Sequence, residues 1–219
     1  MPHASRHLNL WKQQLGQVPA AVWEQGALET LVLAENKLSE VSTQIGRLKR
    51  LRMLDLGHNQ LAMLPDALGD LENLTDFLYL HDNRLSSLPA PLARLRGLRY
   101  LNLSGNLFET LPECIAGMTG LIELRVDDNR LTSLPEWVAG LAQLRELHVR
   151  NNRISGLPEA IGALRELRQI DLRGNPLTGL PAAIAELPRL DKLDLRWVST
   201  LEPPEWIATL ESRGCVVYR

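Results

Sequence analysis

The feature that most constrains this chain is an asparagine that returns at an almost constant interval. The gaps between successive members are 23, 24, 23, 23, 23 and 23 residues. The members are Asn36, Asn59, Asn83, Asn106, Asn129, Asn152 and Asn175. Around them the frame LxxLxLxxNxLxxLPxxIxxL recurs, as in LRYLNLSGNLFETLPECIAGM from Leu98. Such a period predicts a repeat architecture in which each turn completes the core of its neighbours.

Two degenerate turns extend the array toward both ends of the chain. One period before Asn36 lies Gln13, and one period after Asn175 lies Val198, each with apolar residues and a proline in frame. Nine turns then cover roughly residues 8–210.

The two ends of such an array need caps, because the outermost turns have no neighbour on one side. We predict one domain over residues 1–219, with a degenerate capping turn at 1–27, regular repeats at 28–197 and a capping segment at 198–219. The final GCVVYR predicts a short closing strand, since β-branched and aromatic residues favour strands. Candidates for end plugs are Trp11, Trp23 and Trp206 with CVVYR.

The periods inside one turn predict its path. The LxL alternation indicates a short strand with its leucines inward, and the asparagine amide is placed to bond backbone groups of adjacent turns, so that the copies form an Asn ladder. The proline of the following LP removes a donor and favours an extended or 3-10 return limb. Ser42 replaces this proline in the turn that starts at Leu28.

These residues resemble the leucine-rich repeat family, and the 23-residue form with LPxxIxxL resembles its intracellular Ras-suppressor type, which also occurs in plant and bacterial proteins. The resemblance implies an α/β repeat solenoid. It would be a right-handed curved coil with a parallel sheet on the concave face and loops, 3-10 turns or short helical turns on the convex face. It also implies a binding scaffold without naming the partner.

Composition argues against several partners and compartments. The net charge is -2, without the basic surplus typical of nucleic-acid or anionic-membrane binders. The only cysteines, Cys114 and Cys215, lack metal-ligand spacing, which favours a reducing compartment. The N-terminal residues lack an apolar signal sequence, and no apolar run reaches about 18 residues. We therefore expect a cytoplasmic protein, with delivery into a host cell as an effector as the alternative.

Motifs for catalysis are missing from the sequence, including the P-loop, HExxH and GxSxG. We therefore predict no enzymatic activity, no cofactor and no metal. Cys114 is interpreted as an incidental packed thiol. His58 and His81 lie on adjacent turns near Asp55 and Asp82, but their spacing favours surface histidines over a metal site.

Function is expected at the variable strand positions, because those side chains project from the concave sheet. The predicted partner-binding residues are Val32, Met53, Phe77, Tyr79, Tyr100, Arg125, His148, Arg150, Arg173 and Arg196. In the first half the aromatic residues predict a binding patch; the alternative is that they merely cover the sheet. In the second half the arginines form one column, where Asp171 and Asp194 are placed to pair with Arg173 and Arg196. For this half of the surface, the sequence is compatible both with a solvated face and with a binding site for an acidic partner.

The exposure of the aromatic residues depends on the register of one strand, because a slip of one residue exchanges its faces. The 23-residue step from Asn83 to Asn106 places the extra residue of the 24-residue gap between Leu74 and Leu78. Leu78 and Leu80 then point inward, and a one-residue bulge at the start of the strand directs Phe77 and Tyr79 to the concave face.

The preferred hypothesis is a non-catalytic scaffold that binds a protein partner on its concave face. The alternative is a type III effector, or the recognition arm of a larger ligase or kinase that acts on host or signalling proteins. Neither nucleic acid nor membrane is expected as a partner. We expect a monomer, with a dimer formed through a sheet edge as the alternative.

Overall fold

Short parallel strands dominate the structure. A computed structural model describes residues 5–219, and within that range ten strands of three residues form one sheet in chain order. They are β1 (His7–Asn9), β2 (Thr30–Val32), β3 (Met53–Asp55), β4 (Phe77–Tyr79), β5 (Tyr100–Asn102), β6 (Glu123–Arg125), β7 (Glu146–His148), β8 (Gln169–Asp171), β9 (Lys192–Asp194) and β10 (Val216–Tyr218). The central residue of each strand from β2 to β9 is buried, as the LxL alternation predicts.

The return limbs are tight turns. Between residues 5 and 219 there are eight 3-10 helices and one α-helix, α1 (Ile207–Ser212). The 3-10 helices are Ala20–Glu24, Thr43–Arg47, Asp66–Asp70, Ala90–Arg94, Glu113–Gly117, Glu136–Gly140, Glu159–Ala163 and Ala182–Glu186. A proline precedes seven of them, in line with its fixed φ and missing donor. At the eighth, the Ser42 side chain accepts a hydrogen bond of 3.2 Å from the Gln44 amide and caps the helix instead.

The predicted leucine-rich repeat solenoid is the observed fold. The parallel sheet lines the concave face, the 3-10 turns form the convex side, and the leucines between them make one continuous hydrophobic core. Because each turn contributes one layer, the core extends along the whole array.

The regularly spaced asparagines are buried side chains that connect each turn to the preceding one through hydrogen bonds. Asn106 is representative: its Nδ2 donates to the carbonyls of Leu80 and Leu103 at 3.0 and 2.9 Å, and its Oδ1 accepts from the Leu85 amide at 2.9 Å. The same pattern recurs along the array. These amides satisfy backbone groups that the sharp buried turn would otherwise leave without partners.

The two ends are closed differently from one another. At the C-terminal end β10 pairs in parallel with β9, as GCVVYR predicts, and Trp206 packs partly buried against the core. At the N-terminal end Trp23 is buried. The prediction that Trp11 is also a plug is wrong, because Trp11 is 50% exposed. It lies one period before Ala34, on the sheet side of the turn, and its Nε1 donates to Glu35 at 3.1 Å.

Candidate binding surface

An aromatic cluster, defined here as Phe77, Tyr79 and Tyr100, occupies the concave face of β4 and β5. The ring centroids of Phe77 and Tyr79 lie 5.8 Å apart with nearly parallel planes, and Tyr100 lies 5.5 Å from Phe77 and 5.1 Å from Tyr79. Phe77 is 42% exposed and the two tyrosines are half-buried. Val32 and Met53, on the preceding strands, are half-buried beside this cluster. The first half of the face is therefore apolar and accessible.

The register of β4 is the one that the asparagine spacing predicts. Leu78 and Leu80 are fully buried, and Phe77 pairs in register with Met53 and Tyr100. The bulge lies just before the strand, where the Arg99 amide bonds the Thr75 carbonyl at 3.0 Å. In most other turns the equivalent amide bonds the carbonyl 23 residues before it, as Arg145 does with Ile122. The bond from Arg99 to Thr75 spans 24 residues. The extra residue is therefore absorbed at residues 75–76, and the strand beyond it keeps its face.

The tyrosine hydroxyls of this cluster stay protonated. Burial raises the pKa of Tyr100 to about 12, while the Arg125 charge opposes that rise. Burial also raises the pKa of Tyr79, together with the charges of Asp55 and Glu123. Both side chains therefore present a neutral hydroxyl at the edge of an apolar surface, a combination suited to protein interfaces.

A cavity of about 270 Å³ opens beside the aromatic cluster at the start of strands β4 to β6. Its walls combine three apolar side chains with three charged ones. They are Phe77, Tyr100 and Ile122, and Asp76, Arg99 and Glu123. The cavity is large enough for one side chain of a bound polypeptide, and its rim offers both signs of charge.

The charged half of the face, on strands β6 to β9, is paired internally. Arg173 Nε lies 2.8 Å from Asp171 Oδ1 and 3.5 Å from Asp194 Oδ2, and Arg196 donates to both oxygens of Asp194 at 2.9 and 2.7 Å. Asp194 is only 1% exposed. Burial alone would raise the pKa of Asp194, but hydrogen bonds from Arg196 and the charge of Arg173 outweigh burial and lower it. The aspartates thus hold the arginine column in place.

Arg150, the third member of the arginine column, has different partners. Its guanidinium bonds Asp128 at 2.9 Å, and its amide donates to Asp127 Oδ1 at 2.8 Å. Burial raises the pKa of Asp127, and the hydrogen bond from the Arg150 backbone limits the rise. Arg150 Nε is buried and has no hydrogen-bond partner among residues 5–219.

His148 departs from its predicted role. A partner-binding residue must be accessible, but His148 is 5% exposed, with its Nε2 atom 3.1 Å from Glu146 Oε2 and 3.9 Å from Glu123 Oε1. Glu146, on the same strand, and Glu123, on the neighbouring strand β6, place their carboxylates near the ring nitrogen. Arg125 is half-buried and is held by Glu123 at 2.5 Å. The position of His148 in the repeat correctly predicts the face of the sheet on which it lies, but it does not predict how exposed the side chain is.

Three exposed aromatic residues of the concave side were not among the predicted residues. Trp197 is 69% exposed, with the guanidinium carbons of Arg173 and Arg196 5.7 and 5.9 Å from its ring centroid. Tyr218 pairs in register with Asp194, and Arg196 lies 5.0 Å from its ring. The third is Trp11. One 23-residue step before Ala34 identifies Trp11, so the sequence did carry that signal. The same step from Asp194 leads to Val217, whereas the strand register pairs Asp194 with Tyr218.

The remaining candidates from the sequence are two histidines and a cysteine. The rings of His58 and His81 lie 4.8 Å apart, as their places on adjacent turns predict. Cys114 is buried, and burial raises the pKa of its thiol to about 11, so the thiol is protonated at neutral pH. The interpretation of Cys114 as a packed thiol is confirmed.

Comparison with known proteins gives a consistent family. The family model described as leucine rich repeat matches residues 6–61, 26–85, 75–131, 119–177 and 142–197. Human volume-regulated anion channel subunit LRRC8E is 37% identical over 98 residues, which are 44% of this chain and 12% of that protein. Pig fibromodulin is 33% identical over 90 residues, which are 41% of this chain and 59% of that protein. The chain thus matches only a minor part of the channel subunits.

Solved structures agree with the family match. A leucine-rich repeat protein of Leptospira interrogans superposes with a TM-score of 0.79 at 27% identity, covering 94% of this chain and 64% of that one. The ectodomain of the Arabidopsis thaliana receptor kinase GASSHO1/SCHENGEN3, solved in complex with CASPARIAN STRIP INTEGRITY FACTOR 2, has a TM-score of 0.66 at 29% identity. That match covers 87% of this chain and 27% of the ectodomain. Across residues 5–219, no helix has the length and apolar character needed to cross a membrane.

Proposed function

The chain belongs to the leucine-rich repeat family, and we propose that it is a non-catalytic scaffold that binds a protein partner on its concave face. Domains of this family typically mediate protein–protein interactions and are generally non-catalytic. The observation that carries the proposal is the aromatic cluster, which keeps Phe77 42% exposed between two half-buried tyrosines. Clustered exposed aromatic residues usually mark a contact surface.

The aromatic cluster is suited to anchor a partner because its rings are already ordered in the free protein. Stacking of Phe77 on Tyr79 and contact with Tyr100 order the rings before binding, so little side-chain entropy is lost in the complex. Burial of apolar area at this surface then favours association. Tyr is also enriched among residues that dominate binding energy.

The cavity beside the cluster offers a place for one partner side chain. Phe77, Tyr100 and Ile122 would surround its apolar part, while Asp76, Arg99 and Glu123 would contact polar atoms at the rim. A polypeptide that crosses the strands would then place one apolar residue in the cavity and neighbouring residues on the aromatic rings.

The charged half would orient the partner rather than anchor it. Arg173 and Arg196 already bond Asp171 and Asp194, so an acidic partner would have to compete with those carboxylates. Electrostatic contacts of this kind affect association rate and orientation more than affinity. Arg150 and Trp197 extend the same surface toward the strand ends.

The proposal is tested with immobilised protein and a native lysate of the source organism, followed by titration of the recovered partner. We expect Tyr79→Ala with Tyr100→Ala to retain the fold but to weaken the purified partner's binding by at least about thirtyfold, since loss of even one hot-spot aromatic residue costs about 2 kcal/mol or more. Met63→Ala is the matched control, because Met63 is 76% exposed and lies outside the sheet.

Equal partner binding by the wild type and the double variant would contradict the anchor assignment. Loss of binding in Met63→Ala alone would show that the partner contacts the surface outside the sheet instead. Circular dichroism of all three proteins separates lost binding from lost folding.

A second candidate is that this chain acts as the recognition arm of a larger protein. It is motivated by the alignment with channel subunits of which the chain matches 12%. The Ras-suppressor subtype, the effector role, the cytoplasmic location and the monomeric state predicted from the sequence all stay predictions.

A further inference from the structure

Two histidines and an aspartate meet where strands β3 and β4 end, and we call His58, His81 and Asp82 the histidine cluster. His58 Nδ1 lies 3.3 Å from Asp82 Oδ2, and the two imidazole rings meet edge to face with centroids 4.8 Å apart. One ligand atom from each residue lies within 4.8 Å of the other two. Tyr79 of the aromatic cluster lies 6.0 Å from the His81 ring, so the histidine cluster borders the proposed partner surface.

Glycines on both sides make room for this arrangement. A Cβ atom at Gly57 would meet His81 Cε1 at 2.4 Å, so the imidazole ring lies directly against the Gly57 backbone. At Gly105, which has φ +65°, a Cβ would meet Asp82 Oδ1 at 2.2 Å. Side chains at these two positions would displace His81 and Asp82, because such contacts are far inside van der Waals distance. The neighbouring turns therefore seat two of the three residues.

One ring nitrogen of His81 has no partner in the fold. Its Nδ1 atom is buried and has no hydrogen-bond partner in the part of the chain that the structure describes. A neutral imidazole nitrogen that makes no hydrogen bond can offer its lone pair to a metal ion.

We propose that His58, His81 and Asp82 form a Zn²⁺ site with one open coordination position at the end of strands β3 and β4. Two imidazole nitrogens and a carboxylate oxygen form a donor set that suits Zn²⁺ better than the oxygen-seeking Mg²⁺ or Ca²⁺. Tetrahedral bonds of 2.0–2.1 Å place ligand atoms about 3.3 Å apart. The pair His58–Asp82 already has that separation, and a ligand atom of His81 lies within 4.8 Å of both.

A second group of similar residues provides the contrast. Glu123, Glu146 and His148 also bring three ligand atoms within 4.8 Å. There, however, Arg125 already neutralises Glu123 at 2.5 Å, and the His148 Nε2 atom is 3.1 Å from Glu146. A divalent cation at this group would have to displace the Arg125 guanidinium from Glu123. His148 is therefore the matched control for the histidine cluster.

The zinc site is tested on the purified full chain with Zn²⁺ alone, so the result does not depend on the proposed protein partner. Competition with a chromophoric chelator measures stoichiometry and affinity in the wild type and in His58→Gln, His81→Gln, Asp82→Asn and His148→Gln. We expect one equivalent of Zn²⁺ in the wild type and in His148→Gln, and at least about tenfold weaker binding in each variant of the histidine cluster, because each removes a ligand. The double variant His3→Gln with His7→Gln, which alters the N-terminal histidines, should bind as the wild type does.

Thermal unfolding supplies a second readout. Added Zn²⁺ should raise the midpoint of the wild type and raise that of His58→Gln less at the same Zn²⁺ concentration, because stabilisation by a ligand falls as its affinity falls. The His58 side chain is about half exposed, so His58→Gln is expected to fold even if His81→Gln does not. Failure of the wild type to bind one equivalent overturns the proposal, as does undiminished binding in His58→Gln. Loss of binding in His148→Gln alone would also overturn it, by placing the ion at the other group.

Discussion

On strands β3 to β5 the concave face carries Met53 and the aromatic cluster, whereas on β7 to β9 it carries arginines that aspartates already hold. In the aromatic half Phe77 keeps 42% of its surface exposed. In the charged half Asp194 is 1% exposed and contacts two guanidinium groups. One backbone framework thus supports a surface that gains by covering apolar area and another whose arginines are already paired with aspartates.

The difference shows that position in a repeat does not determine availability for binding. Equivalent strand positions hold Tyr79 and His148, yet the former is half-buried and the latter 5% exposed. The cause is the length and charge of adjacent side chains. Glu123 on β6 and Glu146 on β7 both approach His148, while Phe77 stacks on Tyr79 and stays 42% exposed.

The largest expected effect tests whether the two halves share an equivalent core. Leu101→Ala on β5 and Leu147→Ala on β7 each remove a fully buried side chain at the same place in the repeat. Each should lower the free energy of unfolding by about 3 kcal/mol, through lost transfer free energy and an unfilled cavity. Chemical denaturation of both variants provides the measurement. A difference larger than about 1 kcal/mol between them would show that the halves also differ beneath the surface.

The next effect concerns the charged half itself. Asp194→Asn removes the charge that Arg173 and Arg196 share, and we expect it to lower the free energy of unfolding by about 1 kcal/mol. The loss is smaller than for a fully buried pair because solvent reaches the two guanidinium groups. Asp191→Asn is the control, since its pair with Arg168 is exposed and its loss should be near zero.

The stability difference between the wild type and Asp194→Asn should depend on pH. Because the pKa of Asp194 is lower in the folded protein than its ordinary value of about 3.9, its contribution to stability is present above that pH and is lost as the pH falls through the folded pKa. The stability difference between wild type and Asp194→Asn should therefore be larger at pH 6 than at pH 3. A difference that is constant across this range would mean that Asp194 acts through its shape and not its charge.

The smallest effect on stability is expected in the aromatic half. Phe77→Ser removes an exposed ring and should change the free energy of unfolding by less than about 0.5 kcal/mol. Thermal or chemical unfolding checks this value beside Asp194→Asn. If Phe77→Ser proved the more destabilising of the two, the ring would serve the fold, and the contrast between an available half and a satisfied half would not hold.

Much of this surface was predictable because a repeat makes side-chain direction periodic. The 24-residue gap before Asn83 was enough to predict the bulge, the inward leucines of β4 and the outward Phe77. The pairing of Arg173 with Asp171 and of Arg196 with Asp194 followed from residues two apart on one strand face. In each case the two residues are separated by a fixed number of residues, either two along a strand or about 23 from one repeat to the next.

The sequence by itself determined the solenoid, the strand register, the buried leucines and the face on which each variable residue lies, because all of these depend on backbone periods of two and of about 23 residues. Only the tertiary structure decided that His148 is covered and that His81 lies against Gly57 beside Asp82. Those outcomes depend on the way in which the long side chains of three adjacent turns pack above the sheet. That packing has no period along the chain.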